Sequence, residues 1–190
     1  MIKAIVKSAL LLAAWLVSAY SIAQNQEQEV LILLNEVRTN PKKFIETRAL
    51  PYIRQQNLTT NKFAKSLLQD LKQTKAMAAL VEAPALTTVA RAHANDMGTS
   101  GKAGHESSDG TPFNVRVRSQ ANAQGRIAEN CAYGQTSALE FVMQLLIDDG
   151  IESLGHRKNI LEPTYKWVGI AIEPHKTYRT NCVMDFAERL

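Results

Sequence analysis

The chain has 190 residues, 45% of them hydrophobic and 21% charged, and a formal net charge of +4 at pH 7. That composition fits a folded globular protein and excludes disordered, collagen-like and fully membrane-embedded chains. Part of the charge belongs to the N-terminus, which reads as a removable leader. Lys3 and Lys7 precede a nearly unbroken apolar run from Ala9 to Ile22, and Ser21-Ile22-Ala23 fits a small-residue cleavage signal, so residues 1–23 are expected to be a signal peptide. The run is short of the ~20 apolar residues that a membrane span needs, and the polar Gln24-Asn25-Gln26-Glu27 follows it. No membrane span is therefore expected after cleavage.

The leader takes two of the 22 basic residues and none of the 18 acidic ones, which leaves a balance of +2. The remaining Lys and Arg are scattered among acids with no interleaved aromatic cluster, so nucleic acid is not an expected partner. Residues 24–190 have the length of one domain, able to bury ~70% of the unfolded surface without staples. Cys131 and Cys182 both lie in this region. An even cysteine count in an exported chain predicts a disulfide, which would close a loop of about 50 residues and contribute ~3–4 kcal/mol. Two free buried thiols are the alternative, because both residues sit in apolar, strand-like sequence.

From Glu27 onward, Val30, Leu31, Leu33, Leu34 and Val37 recur at helical spacing, and the pattern stops at Asn40-Pro41. Residues 41–60, with Pro41 and Pro51, read as short turns. Asn61 is placed to cap a second helix carrying Phe63, Leu67, Leu68, Leu71 and Met77, broken at Glu82-Ala83-Pro84. A third helix is expected over about Leu86 to Met97, followed by a loop from Gly98 to Gly110. Ile127 to Tyr133 reads as a strand, and Ser137 caps a helix reaching about Asp149. Gly155 to Leu161 is a short helical turn closed by Pro163. Two strands end the chain, Trp167 to Glu173 and Arg179 to Phe186, as an antiparallel hairpin turning around Pro174 to Tyr178.

Neither of those strands alternates with polar residues. Val168, Ile170 and Ile172 face one way and Trp167, Gly169 and Ala171 the other; Cys182, Met184 and Phe186 oppose Asn181, Val183 and Asp185. A sheet of this kind needs cover on both faces. The expected class is α/β, a three-layer α/β/α sandwich around a small, mainly antiparallel sheet.

Chemistry-bearing residues concentrate in three places. His105 lies in the loop Gly104-His105-Glu106-Ser107-Ser108-Asp109-Gly110, Glu129 in the strand Ala128-Glu129-Asn130, and His156 in Gly155-His156-Arg157. Two imidazoles with carboxylates can ligate Zn²⁺ through neutral ring nitrogens and leave a position for water. A carboxylate among apolar strand residues needs a partner. For Glu129 the sequence offers a His, a metal, or an ion pair with Arg126 or Arg157. His93, on the inward stripe of its helix, reads as a structural histidine, and His175, at the hairpin turn, as a surface one. Cys131 shares a strand face with Glu129 and is available as a third, soft ligand, although the disulfide or core reading is preferred. The chain has no His-Glu-x-x-His motif, no Gly-x-Ser-x-Gly turn and no glycine-rich phosphate loop, so no catalytic residue is assigned.

Several strings occur in a telling order: Leu34-Asn35-Glu36-Val37-Arg38, Ala90-Arg91-Ala92-His93-Ala94-Asn95-Asp96-Met97, Gly104-His105, Ala128-Glu129-Asn130, Gly155-His156-Arg157-Lys158-Asn159-Ile160-Leu161, Val168-Gly169-Ile170 and Val183-Met184-Asp185-Phe186. Together they resemble the CAP superfamily of cysteine-rich secretory proteins, antigen 5 and pathogenesis-related proteins, in its bacterial secreted branch, over about residues 28–187. The resemblance implies an α/β/α sandwich with a cleft holding two His and two acidic residues, able in some members to bind zinc. His105, Glu129 and His156 match three of the four. The fourth falls in Ile147-Asp148-Asp149-Gly150-Ile151-Glu152, with Asp148 the best match and Asp149 and Glu152 its rivals. The function implied is a secreted or periplasmic protein whose cleft binds a divalent metal, Zn²⁺ being the candidate, or a polar ligand from cell wall, peptide or lipid. A metal-dependent hydrolase of peptide or cell-wall substrates and a lipid or sterol carrier are the alternatives, with binding favoured over catalysis. The segment from Pro41 to Pro84 is longer than the family needs.

Overall fold

The first apolar stripe forms a helix as expected. In the computed structural model, which describes residues 25–190, α1 covers 25–39 and buries Val30, Leu33, Leu34 and Val37. The signal peptide expected at residues 1–23 lies outside the described residues. Asn40 ends α1 and caps α2 (Pro41–Phe44), its side chain accepting from the Lys43 amide, with Pro41 where a missing N–H costs nothing.

The segment read as turns is helical instead. α2 runs into a π-helical turn, Ile45–Ala49, and then into α3 (Leu50–Gln55). Pro51 falls in the first turn of α3, where proline is tolerated, and Phe44, Ile45, Ala49 and Ile53 give the segment a buried face. Asn61 caps α4 (Lys62–Gln73) by accepting from the amides of Phe63 and Ala64. That helix is shorter than predicted, and Met77 lies beyond it, its amide donating to the Arg38 carbonyl at 2.9 Å.

A two-residue strand, β1 (Val81–Glu82), precedes α5 (Pro84–Ser100) and was not legible beside Pro84. Another unanticipated element, α6 (Phe113–Ala121), leads to β2 (Gln124–Tyr133). α7 (Ala138–Ile147) starts on a capping box between Ser137 and Glu140. α8 (Gly155–Ile160) and the hairpin of β3 (Trp167–His175) and β4 (Arg179–Arg189) complete the chain.

The strands lie in the order β1-β3-β4-β2, with β1 parallel to β3 and the other pairs antiparallel, so β2 is an edge strand. Val168, Ile170, Ile172, Cys182, Met184 and Phe186 face the α1 and α7 side. On the opposite face Cys131, Ala171 and Val183 meet Ala90 and Ala94 of α5, while Leu86 and Val89 pack with Val117 and Ala121 of α6. This is the three-layer sandwich the strand patterns predict. α5 rests almost on the sheet backbone. A Cβ on Gly169 would come within 2.1 Å of the Leu86 carbonyl carbon, and one on Gly98 within 2.2 Å of the Pro174 oxygen.

The strand register overturns the expected disulfide. Ala132 is opposite Cys182, and Cys131 is opposite Val183. Neighbouring strand residues point to opposite faces, so the two sulfurs lie on opposite sides of the sheet as free, buried thiols.

Candidate metal and ligand site

The two histidines singled out in the sequence each sit on a buried carboxylate. His105 follows α5, which stops at Gly101 in the left-handed conformation. The Gly104 amide donates to the Tyr133 hydroxyl at 2.9 Å, and the Gly104 carbonyl accepts from His93 Nε2 at 3.0 Å. Held there, His105 Nδ1 donates to Glu129 Oε1 at 2.9 Å. The His105 side chain is 51% exposed and that of Glu129 0%.

The second Glu129 oxygen is taken by Arg116 of α6. Its Nη2 donates to Oε2 at 2.5 Å, and its Nη1 donates to the His105 carbonyl at 2.9 Å. The ion-pair partner is thus neither Arg126, which meets Glu162 at 3.2 Å, nor Arg157, which meets Asp70 at 2.8 Å. Burial works to raise the Glu129 carboxyl. The His105 hydrogen bond and the charges of His93 and Arg116 outweigh it and hold the group below its ordinary value. Asp185 faces Glu129 across the ladder, fully buried, with neither oxygen hydrogen-bonded among the described residues. Burial first, and then the Glu129 charge, push Asp185 well above the usual carboxylate range.

His156 is held by Asp148, which ends α7 in the left-handed conformation at φ 58°. Asp148 Oδ1 accepts from His156 Nδ1 at 2.7 Å, while Oδ2 accepts from the backbone amides of His156 at 3.0 Å and Arg157 at 3.4 Å. One carboxylate therefore orients the imidazole and satisfies the first amides of α8. The rivals for this place look elsewhere: Asp149 accepts from Asn61 at 3.0 Å, and Glu152 pairs with Lys62 at 2.6 Å.

Consecutive residues of β2 tie the two pairs to one strand. Glu129 serves His105 on one face, and Asn130 Nδ2 donates to the His156 carbonyl at 3.1 Å on the other. A cleft of about 360 Å³ opens beside Asp148 and His156. Cys131 reaches it from β2, and Tyr52, Leu58 and Ile151 wall it. Tyr52 and Leu58 belong to the long segment after Pro41, which thereby has a place at the cleft.

The remaining histidines are both buried. His175 is 3% exposed, not a surface residue. Its Nε2 donates to the Lys102 carbonyl at 2.8 Å, and its Nδ1 accepts from the amides of Thr177 and Tyr178. His93 has the structural hydrogen bond expected of it. It also contributes to a metal-capable cluster: ligand atoms of His93, Glu129 and Cys131 all lie within 4.8 Å of one another. Arg116 and Asp185 escaped sequence reasoning. Arg116 was detectable through its helix, since Phe113, Val117 and Ala121 recur every four residues on one side.

An α/β/α sandwich that presents two imidazoles on buried carboxylates beside an edge strand defines a particular class of protein. Residues 31–186 match the model of the cysteine-rich secretory protein family, CAP, and the chain belongs to that family. A search of curated protein sequences finds no match. Among solved structures it is similar to an extracellular SCP-domain protein of Bacillus anthracis, at 18% identity and a TM-score of 0.51, over 67% of this chain and 39% of that one. It is also similar to an outer surface protein of Borrelia burgdorferi, at 18% identity and a TM-score of 0.52, over 69% of this chain and 96% of that one. The chain thus spans well under half of the Bacillus protein, and likeness at this identity bears on fold alone.

Proposed function

We propose that this protein acts outside the cytoplasm as a binding module, whose cleft holds a divalent metal or a polar ligand on His105 and His156. One observation carries the reading: each imidazole gives its Nδ1–H to a buried carboxylate, at 2.9 Å for His105 and 2.7 Å for His156. That commitment fixes the tautomer and leaves Nε2 as a lone-pair donor, free of hydrogen bonds among the described residues. Carboxylate-oriented imidazole is the usual arrangement behind metal-ligating histidine. Glu129 and Asp148, expected from sequence as ligands beside the two histidines, serve in this reading by holding the rings, since their oxygens already accept.

The place of action is supported by the leader-like residues 1–23 and by relatives described as extracellular and outer-surface proteins. Among the described residues no helix is long and apolar enough to cross a membrane. Bound zinc would supply a Lewis acid and a water of lowered pKa. The residues of this chain bind and orient; none is placed as a nucleophile.

Calorimetric titration with Zn²⁺ tests the reading. His156→Ala is expected to abolish the cleft affinity, and Asp148→Asn to weaken it by about 10–100-fold, the loss typical of an outer-sphere partner. Wild-type affinity in His105→Ala, His156→Ala and the double variant would sink it.

A further inference from the structure

The geometry points to a second, buried metal site on the Glu129 face of β2, in which His93, Glu129 and Cys131 bind a zinc-like divalent ion. It uses neither His156 nor Asp148, but it takes the Glu129 oxygen that holds His105, so an ion here and a fixed His105 ring exclude one another. Two elements converge there: α5 brings His93, and β2 brings Glu129 and, two residues on along the same face, Cys131. All three residues are buried, and their donor atoms lie within 4.8 Å of one another.

The spacings suit a tetrahedral ion. Bonds of about 2.0–2.3 Å to N, O and S imply edges between ligands of roughly 3.3–3.8 Å. His93 Nε2 lies 3.9 Å from Glu129 Oε1. The Gly104 carbonyl, a ready fourth donor, lies 3.0 Å from His93 Nε2 and 3.6 Å from Cys131 Sγ. At present that one oxygen accepts from both the imidazole and the thiol. A cation in their midst replaces both hydrogen bonds. The thiol proton leaves to solvent, and the imidazole stays neutral by carrying its proton on Nδ1. Among the described residues no partner at Nδ1 ties the ring to its present tautomer.

Softness agrees. The Glu129 carboxylate and the Cys131 thiolate bring two negative charges to a divalent ion, the first of them shared with Arg116, which keeps its hold on the other Glu129 oxygen. A mixed N, O and S set favours zinc or cobalt over magnesium or calcium. The way in is past His105, whose half-exposed ring lies 2.9 Å from Glu129 Oε1 and 3.8 Å from the sulfur. Its rotation uncovers both donor atoms.

Co²⁺ titration of the chelator-stripped protein reads the site directly. Thiolate ligation gives a charge-transfer absorption in the near ultraviolet, expected at one equivalent in wild type. It is expected to persist in Cys182→Ser and His156→Ala and to vanish in Cys131→Ser. His93→Gln is expected to weaken it by at least about 100-fold in affinity, beyond the loss typical of an outer-sphere partner. Wild-type protein that binds no Co²⁺, or binds it without that absorption, overturns the site, as does an absorption that survives Cys131→Ser. The wild-type spectrum decides even if both variants fail to fold. Binding lost in His156→Ala without thiolate absorption in wild type would keep the cleft and remove the buried site.

Discussion

Arg157 is a buried cation that, from α8, holds backbone and side-chain oxygens of α7 and α4. Replacing it with methionine keeps the aliphatic stem and removes the guanidinium. Its Nε donates to the Leu146 carbonyl at 2.6 Å, and its Nη2 to the carbonyls of Ile147 at 2.9 Å and Phe63 at 3.0 Å. Its Nη1 donates to Ser66 Oγ at 3.0 Å and Asp70 at 2.8 Å. Two of these acceptors are C-terminal carbonyls of α7, which have no partner within the helix. Five charged hydrogen bonds at about 1.5–3 kcal/mol each would overstate the loss, because removing the group also relieves the cost of burying its charge. Breaking a buried ionic cluster on one side costs about 3–5 kcal/mol. For a domain of this size that lowers the melting temperature by roughly 10 °C. Denaturant melts of Arg157→Met against wild type measure it. Lys62→Met serves as control, because it breaks an exposed pair, 71% and 78% exposed at its two ends, and a contact over the Phe63 ring, and is expected to shift the midpoint far less. A loss below about 1 kcal/mol for Arg157→Met would refute the reasoning.

The pH dependence of stability follows from three buried groups. His93 is lowered from 6.5 chiefly by burial, and Glu129 is held below 4.5. Both therefore contribute stability that is present above those values and lost as pH falls through their folded pKa, so denaturation midpoints are expected to decline below pH 6.5 and again below 4.5. Asp185 has the opposite sign. Raised well above 3.8, it contributes below that value and loses its contribution as pH rises, so Asp185→Asn is expected to stabilise at pH 7 and to match wild type at pH 3.5 and below. A variant less stable than wild type at neutral pH contradicts this. Both cysteines are expected to titrate as free thiols in denaturant without reductant; finding none would restore the disulfide.

Much of the fold was legible because its signals are local. The α1 stripe, the Asn61 cap, the Ser137 cap and the two-faced apolar hairpin are written in adjacent residues, and each sits where expected. The elements that were missed depend on partners distant in sequence. β1 is a strand of two residues, defined by pairing with Trp167 and Val168. The stretch from Pro41 to Gln55 looked broken by its prolines, yet both stand at helix starts. At the site, the identity of Asp148 depended on a backbone turn with positive φ, which three nearby acids cannot declare by themselves. The partner of Glu129 came from a helix that went unread, and the separation of the cysteines required the register of β2 on β4.

The absent side chains at Gly98 and Gly169 reach further than their size suggests. They let α5 settle on β3 at main-chain distance, and α5 carries His93 and delivers the chain to His105. The height of both rings above Glu129 is therefore set by two hydrogen atoms at the seam between helix and sheet. A single methyl at either glycine would lift that helix like a shim under a beam, and chemistry on β2 would register a change made in a place no ligand touches.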